Sequence, residues 1–176
     1  MNVQLHLSAL ALCCLATVAQ AQGQAPVADA LRANAERAAK NLVAAAEEFP
    51  ADKYGYKPTP AQMSVADIVG HLSGGNDFLC SSISGLPAPK RAELAKGAGK
   101  DKLVARLKET FDFCKSSLAK VDDSGLAGEV PWFNGKATRA VVILATAEDW
   151  GDHYSQLANY LRLNGLLPPT AKKGQS

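Results

Sequence analysis

Asp149 and His153 stand four residues apart in the stretch Asp149-Trp-Gly-Asp-His153-Tyr-Ser-Gln-Leu-Ala-Asn-Tyr-Leu-Arg162. On a helix that spacing places both side chains on one face, one turn apart. A carboxylate and an imidazole so placed can ligate the same divalent ion. Of the three histidines, His6 lies in an apolar N-terminal stretch, which leaves His71 as the one further imidazole for such a site. His71 sits in Ser64-Val-Ala-Asp-Ile-Val-Gly-His71-Leu, a second amphipathic stretch. Two histidines and one carboxylate drawn from two helices are the donors of an open metal site. Plainer readings stand beside it: an Asp–His pair at i, i+4 is also a surface ion pair, and a lone histidine at the edge of an apolar face is also a hydrogen-bonded packing residue.

Four helical segments must position these residues. The first runs from about Pro26 to Phe49, Ala-rich, with Pro26 suited to a first turn and Pro50 forcing a stop. A Pro, Gly and Tyr-rich loop from Pro50 to Pro60 follows. The second helix is capped by Ser64, with Asp67 three residues on, and carries the stripe Val65, Ile68, Leu72, Leu79, Ile83 and Leu86. A Gly, Pro and Lys-rich loop spans roughly Gly85 to Gly99. The third helix has the cleanest seam: Leu103, Leu107, Phe111, Cys114, Leu118 and Val121 at spacings of four and three. Asn134-Gly135 is a tight-turn signal that points to a small hairpin-like excursion, which Pro131 keeps short. The fourth helix covers about Thr138 to Asn164, with Gly165 as its stop.

Four helices with one apolar seam each read as an all-α four-helix bundle. The joining loops are long enough to permit a crossover connection. At about 100° per residue, His71 and His153 border the core faces of their helices, beside the groove between them.

From Leu5 to Val18 the chain is almost continuously apolar, and Ala19-Gln20-Ala21 supplies a small-x-small cleavage pattern. Residues 1–21 therefore read as a secretory signal peptide, too short for a membrane span of about 20 apolar residues. Residues 22–176 form a single domain, exported to the periplasm or the medium without a stable membrane anchor. The removed segment holds no Asp, Glu, Lys or Arg, so the net charge stays at +2, and no basic cluster offers a nucleic-acid footprint.

Cys80 and Cys114 remain, in a compartment where disulfides persist. A bridge between them is favoured over two free, buried thiols. Cys80 falls about 180° from His71 around its helix, so the bridge lies away from the histidine. Were helices 2 and 3 antiparallel neighbours, the two cysteines would be offset by about 13 Å along the axis. The bridge then requires helix 3 to begin well beyond the end of helix 2.

The Ser64-to-Leu72 run resembles the DinB-like (DinB/YfiT) metalloenzymes. So does the later His153-Tyr-Ser-Gln-Leu-Ala-Asn-Tyr-Leu-Arg-Leu-Asn-Gly-Leu-Leu-Pro-Pro169. The Lys-Tyr-Gly-Tyr-Lys-Pro-Thr-Pro loop and the Asp112-Phe-Cys114 stretch fit the same order. The resemblance implies a four-helix bundle holding one divalent metal through three residues, one from helix 2 and two at i, i+4 on helix 4. Carried over, these are His71, Asp149 and His153. Asp149 stands where a histidine is usual; it can ligate zinc, nickel, manganese or iron, and favours harder metals than three histidines do. The resemblance also implies thiol-dependent transfer or hydrolytic chemistry on a small-molecule substrate, and pairing as homodimers. The alternative is a non-catalytic exported bundle with a degenerate metal site.

Overall fold

The computed structural model describes residues 25–172. The signal peptide expected at residues 1–21 lies outside the described residues. Helix α1 spans Pro26–Glu48, with Pro26 at its first position. Its own cap residue makes no side-chain hydrogen bond. Instead Asp123 accepts from the amides of Val27 and Ala28 at 3.0 and 2.8 Å, from almost a hundred residues away. At the other end Lys100 Nζ donates to the carbonyls of Glu47 and Phe49. Each end of α1 thus carries the sign of charge that its orphan backbone groups favour.

Helix α2 spans Val65–Ser84 and begins with a reciprocal capping box: Asp67 N–H donates to Ser64 Oγ, and Ser64 N–H donates to the Asp67 carboxylate. It ends at Gly85, whose φ of 73° only glycine adopts without strain. Helix α3 covers Lys100–Leu118. Strands β1 (Glu129–Trp132) and β2 (Gly135–Thr138) form an antiparallel hairpin, followed by α4 (Arg139–Leu163) and the single turn α5 (Pro169–Lys172). The hairpin is a true two-stranded ladder, and its turn is one residue earlier than Asn134-Gly135 suggests. Trp132 pairs with Gly135, so Phe133 and Asn134 form the turn.

Helix directions follow from paired side chains. Asn76 meets Trp150 while Met63 meets Tyr160, so α2 and α4 are antiparallel. Asn76 meets Thr110 and Cys80 meets Cys114, so α2 and α3 run parallel. The loop from 85 to 99 is therefore a crossover that carries the chain back to the start of α2. Arg32 meets Leu118 and Lys100 meets Glu47, so α1 and α3 are antiparallel. The close helix pairs are α2 with α3, α1 with α4, α1 with α3 and α2 with α4.

The parallel arrangement removes the axial offset that an antiparallel pair would impose on the cysteines. Cys80 and Cys114 form a disulfide with Cα atoms 5.2 Å apart. Both are buried, and the bridge ties α2 to α3.

Leu103, Leu107, Phe111, Cys114 and Leu118 of α3 are buried, as is Val121 just past its end, and so are Val65, Ile68, Leu72, Leu79 and Ile83 of α2. Leu86, expected in the same stripe, lies beyond the end of α2 and is only partly buried. Full burial of a side chain such as Leu107 or Leu157 is worth roughly 1.5–3 kcal/mol. No helix among the described residues is long and apolar enough to cross a membrane.

Candidate metal centre

The antiparallel α2–α4 pair brings His71, Asp149 and His153 together, with one ligand atom from each lying within 4.8 Å of the others. The Nε2 atom of His71 is 3.4 Å and that of His153 is 3.3 Å from the same carboxylate oxygen, Asp149 Oδ1. The two imidazole rings meet at 4.7 Å with a 64° angle between their planes. These separations are long for charge-assisted hydrogen bonds, which run at about 2.7–2.9 Å. They match the spacing of about 3.4 Å between neighbouring ligands of a tetrahedral ion bound at about 2.1 Å. The three donors form a group that could hold a metal ion.

Burial grades across the site. The side chain of His153 is 8% exposed, Asp149 25% and His71 49%. His153 is thus more deeply held than a residue at the edge of a core face, with the His71 ring of α2 packed against it. Its Nε2 faces Asp149 Oδ1, and its Nδ1 is buried without a hydrogen-bond partner among the described residues. His71 closes the site on the solvent side and leaves it approachable.

Electrostatics couple the three groups. Burial disfavours the charged imidazolium of His153, but the Asp149 carboxylate outweighs it and raises the histidine's pKa. Burial also opposes ionisation of Asp149; His153, and then His71, outweigh it and lower that pKa. A divalent cation between the three groups would satisfy the same carboxylate.

Two neighbours of the site carry little signal in sequence. Gly75 lies one turn after His71, and a Cβ built there would sit 4.0 Å from Asp149 Oδ2. The Gly74–Gly75 pair within a helix was the available sign, since each glycine costs roughly 0.5–1 kcal/mol relative to alanine. Asn76 is buried beneath the site and hydrogen-bonded to Trp150 and Thr110. Nothing in the apolar periodicity marks it.

The arrangement is that of a helical bundle with a His–Asp–His group between two antiparallel helices. Residues 34–157 match the DinB superfamily, and the chain belongs to that family. Among solved structures it is similar to a DinB-like protein of Bacillus subtilis, with a TM-score of 0.63 and 20% identity over 77% of this chain and 92% of that one. It is also similar to a conserved protein of Enterococcus faecalis, with a TM-score of 0.61 and 17% identity over 78% and 96% of the two chains. At these identities the likeness is one of fold. No curated protein matches the chain.

Proposed function

We propose that His71, Asp149 and His153 are the ligands of one divalent metal ion in an exported metal-dependent enzyme that acts on a small molecule. The chemistry is of hydrolytic or thiol-dependent transfer type. The observation that carries this reading is the pair of separations from one carboxylate oxygen, 3.3 Å to His153 and 3.4 Å to His71. When bound, a divalent ion with an open position supplies Lewis acidity to a water, a thiol or a substrate oxygen. The residues of the chain have separate tasks. His153 is held in place by burial, Asp149 offsets part of the cation's charge, and His71 admits substrate from solvent. Gly75 leaves the space beside Asp149 empty of side chain. The Cys80–Cys114 bridge suits an exported protein, because disulfides persist outside the reducing cytosol.

Metal content, measured by elemental mass spectrometry on untagged protein equilibrated with Zn²⁺, Ni²⁺ and Mn²⁺ in turn, tests the reading. Close to one equivalent retained by the wild type and lost in His153→Ala is the expected result. No retention of any of the three metals would leave a non-catalytic bundle in its place.

A further inference from the structure

The face of α2 that carries His71 continues through Gly75 to Phe78, since these positions recur at i, i+4 and i+7. Seven residues of helix separate His71 from Phe78 by about 10 Å along the axis. The hairpin reaches α2 at this point. Ser82 Oγ donates to the carbonyl of Pro131, and the ring of Phe133 stacks on Phe78 with centroids 5.5 Å apart and planes at 30°. Trp132 meets Phe133 edge-on at 4.5 Å, which completes a run of three rings.

Packing does not account for Phe133. The residue is 72% exposed, although its ring sits beside two other aromatic rings. Its backbone φ is 43°, in the left-handed region. That conformation costs a non-glycine residue about 1–3 kcal/mol and concentrates at functional sites. The turn could be made more cheaply by glycine or asparagine at this position. A ring held in water by a strained turn is an uncovered aromatic surface, and it rests on Phe78, which shares the helix face of His71.

Charge specifies the other end of the occupant. A divalent cation with one carboxylate and two neutral imidazoles keeps one net positive charge, which complements a monoanionic head group. Resting on the metal-centre reading, we infer that Phe133, backed by Phe78 and Trp132, is a binding platform for the planar ring of a small arylalkyl carboxylate. The carboxylate reaches the open metal position across Gly75. Aromatic rings prefer offset or edge-on partners, and the exposed ring of Phe133 leaves both available.

The test uses full-length protein loaded with Zn²⁺, with metal content recorded for each sample. Binding of 3-phenylpropanoate and of propanoate is measured by calorimetry. The wild type is expected to prefer the aryl acid by about tenfold. Phe133→Ala should bring the two affinities together, and Phe133→Tyr, which keeps the ring, should preserve the preference. Equal binding of both acids by the wild type, or an undiminished preference in Phe133→Ala, overturns the platform. If Phe133→Ala instead changes the sedimentation coefficient while no aryl preference exists, the rings serve contact between copies and the proposal is likewise overturned. Failure of the metal reading is separately visible: the protein then retains no zinc before any acid is added, and the platform falls with it.

Discussion

The side-chain oxygen of Asn76 accepts a hydrogen bond from the indole N–H of Trp150 at 2.7 Å, one residue beyond the proposed ligand Asp149. The amide of Asn76 also donates to Thr110 Oγ1 at 3.2 Å, so a single buried side chain joins α2, α3 and α4. Asn76 is 1% exposed and Trp150 is equally buried.

Asn76→Ala therefore strands the Trp150 N–H in the core. A buried donor left without a partner costs about 1–3 kcal/mol, and the lost side-chain volume adds to that. Urea unfolding should show a loss of about 2–4 kcal/mol. Metal affinity should fall as well, because Asp149 loses the neighbour that fixes its turn of α4. Unchanged stability in this variant would mean that the network is ornamental.

Exchange of the unusual ligand tests the donor set. Asp149→Ala and His71→Ala should each weaken metal binding by at least about tenfold, as loss of one of three ligands requires. Asp149→His should retain metal and shift preference from Mn²⁺ toward Zn²⁺, since imidazole suits zinc and carboxylate suits harder ions. Competition between the two ions, followed by elemental analysis, gives the ratio directly. Unaltered affinity in Asp149→Ala beside abolished binding in His71→Ala would remove Asp149 from the ligand set.

Acidity acts on the same residues with a definite sign. The raised pKa of His153 means that its partnership with Asp149 stabilises the metal-free protein fully below the ordinary histidine value of 6.5 and is lost as pH rises through the elevated value. The lowered pKa of Asp149 means that its contribution is present above the ordinary 3.8 and disappears as pH falls through the depressed value. The pair thus stabilises the metal-free protein most between about pH 4 and 6.5. Metal competes with the proton on His153, so metal affinity should fall as pH drops past that residue's pKa, and His153 should release a proton on binding. Calorimetry below pH 6.5, where metal-free His153 is protonated, in buffers of different ionisation enthalpy measures that release; its absence there would show that Nε2 is not a ligand.

The disulfide should matter to the scaffold and little to the centre. It closes a separation of 34 residues, and such links contribute about 2–4 kcal/mol. The double variant Cys80→Ala, Cys114→Ala should lose stability in that range while still binding one metal equivalent well below its unfolding midpoint. Loss of metal without loss of stability would place the bridge in the site's own support.

Much of this was legible in the sequence because it was local. The α3 seam, the Ser64–Asp67 capping box and the Gly165 stop depend on residues within a turn or two of one another, and each stands where spacing put it. The i, i+4 relation of Asp149 and His153 was likewise a property of one helix. Long-range facts were not visible in this way. The parallel course of α2 and α3 depends on the path of the 85–99 crossover, and helical periodicity says nothing of a loop's direction. Phe133 at the turn runs against turn preference, which favours Asn134-Gly135, because the strand register set by Trp132 and Gly135 prevailed. Asp123 at the start of α1 caps a helix that periodicity alone would end at its own first turn.

Two of the three proposed ligands lie on α4, the last long element of the chain, while both cysteines lie on the two helices before it. A chain ending before Arg139 contains both bridging cysteines, yet has only His71 of the proposed ligand trio. Covalent closure can therefore precede assembly of the centre, and metal retention becomes a test of whether the final helix has arrived, usable to separate completed molecules from oxidised but unfinished ones.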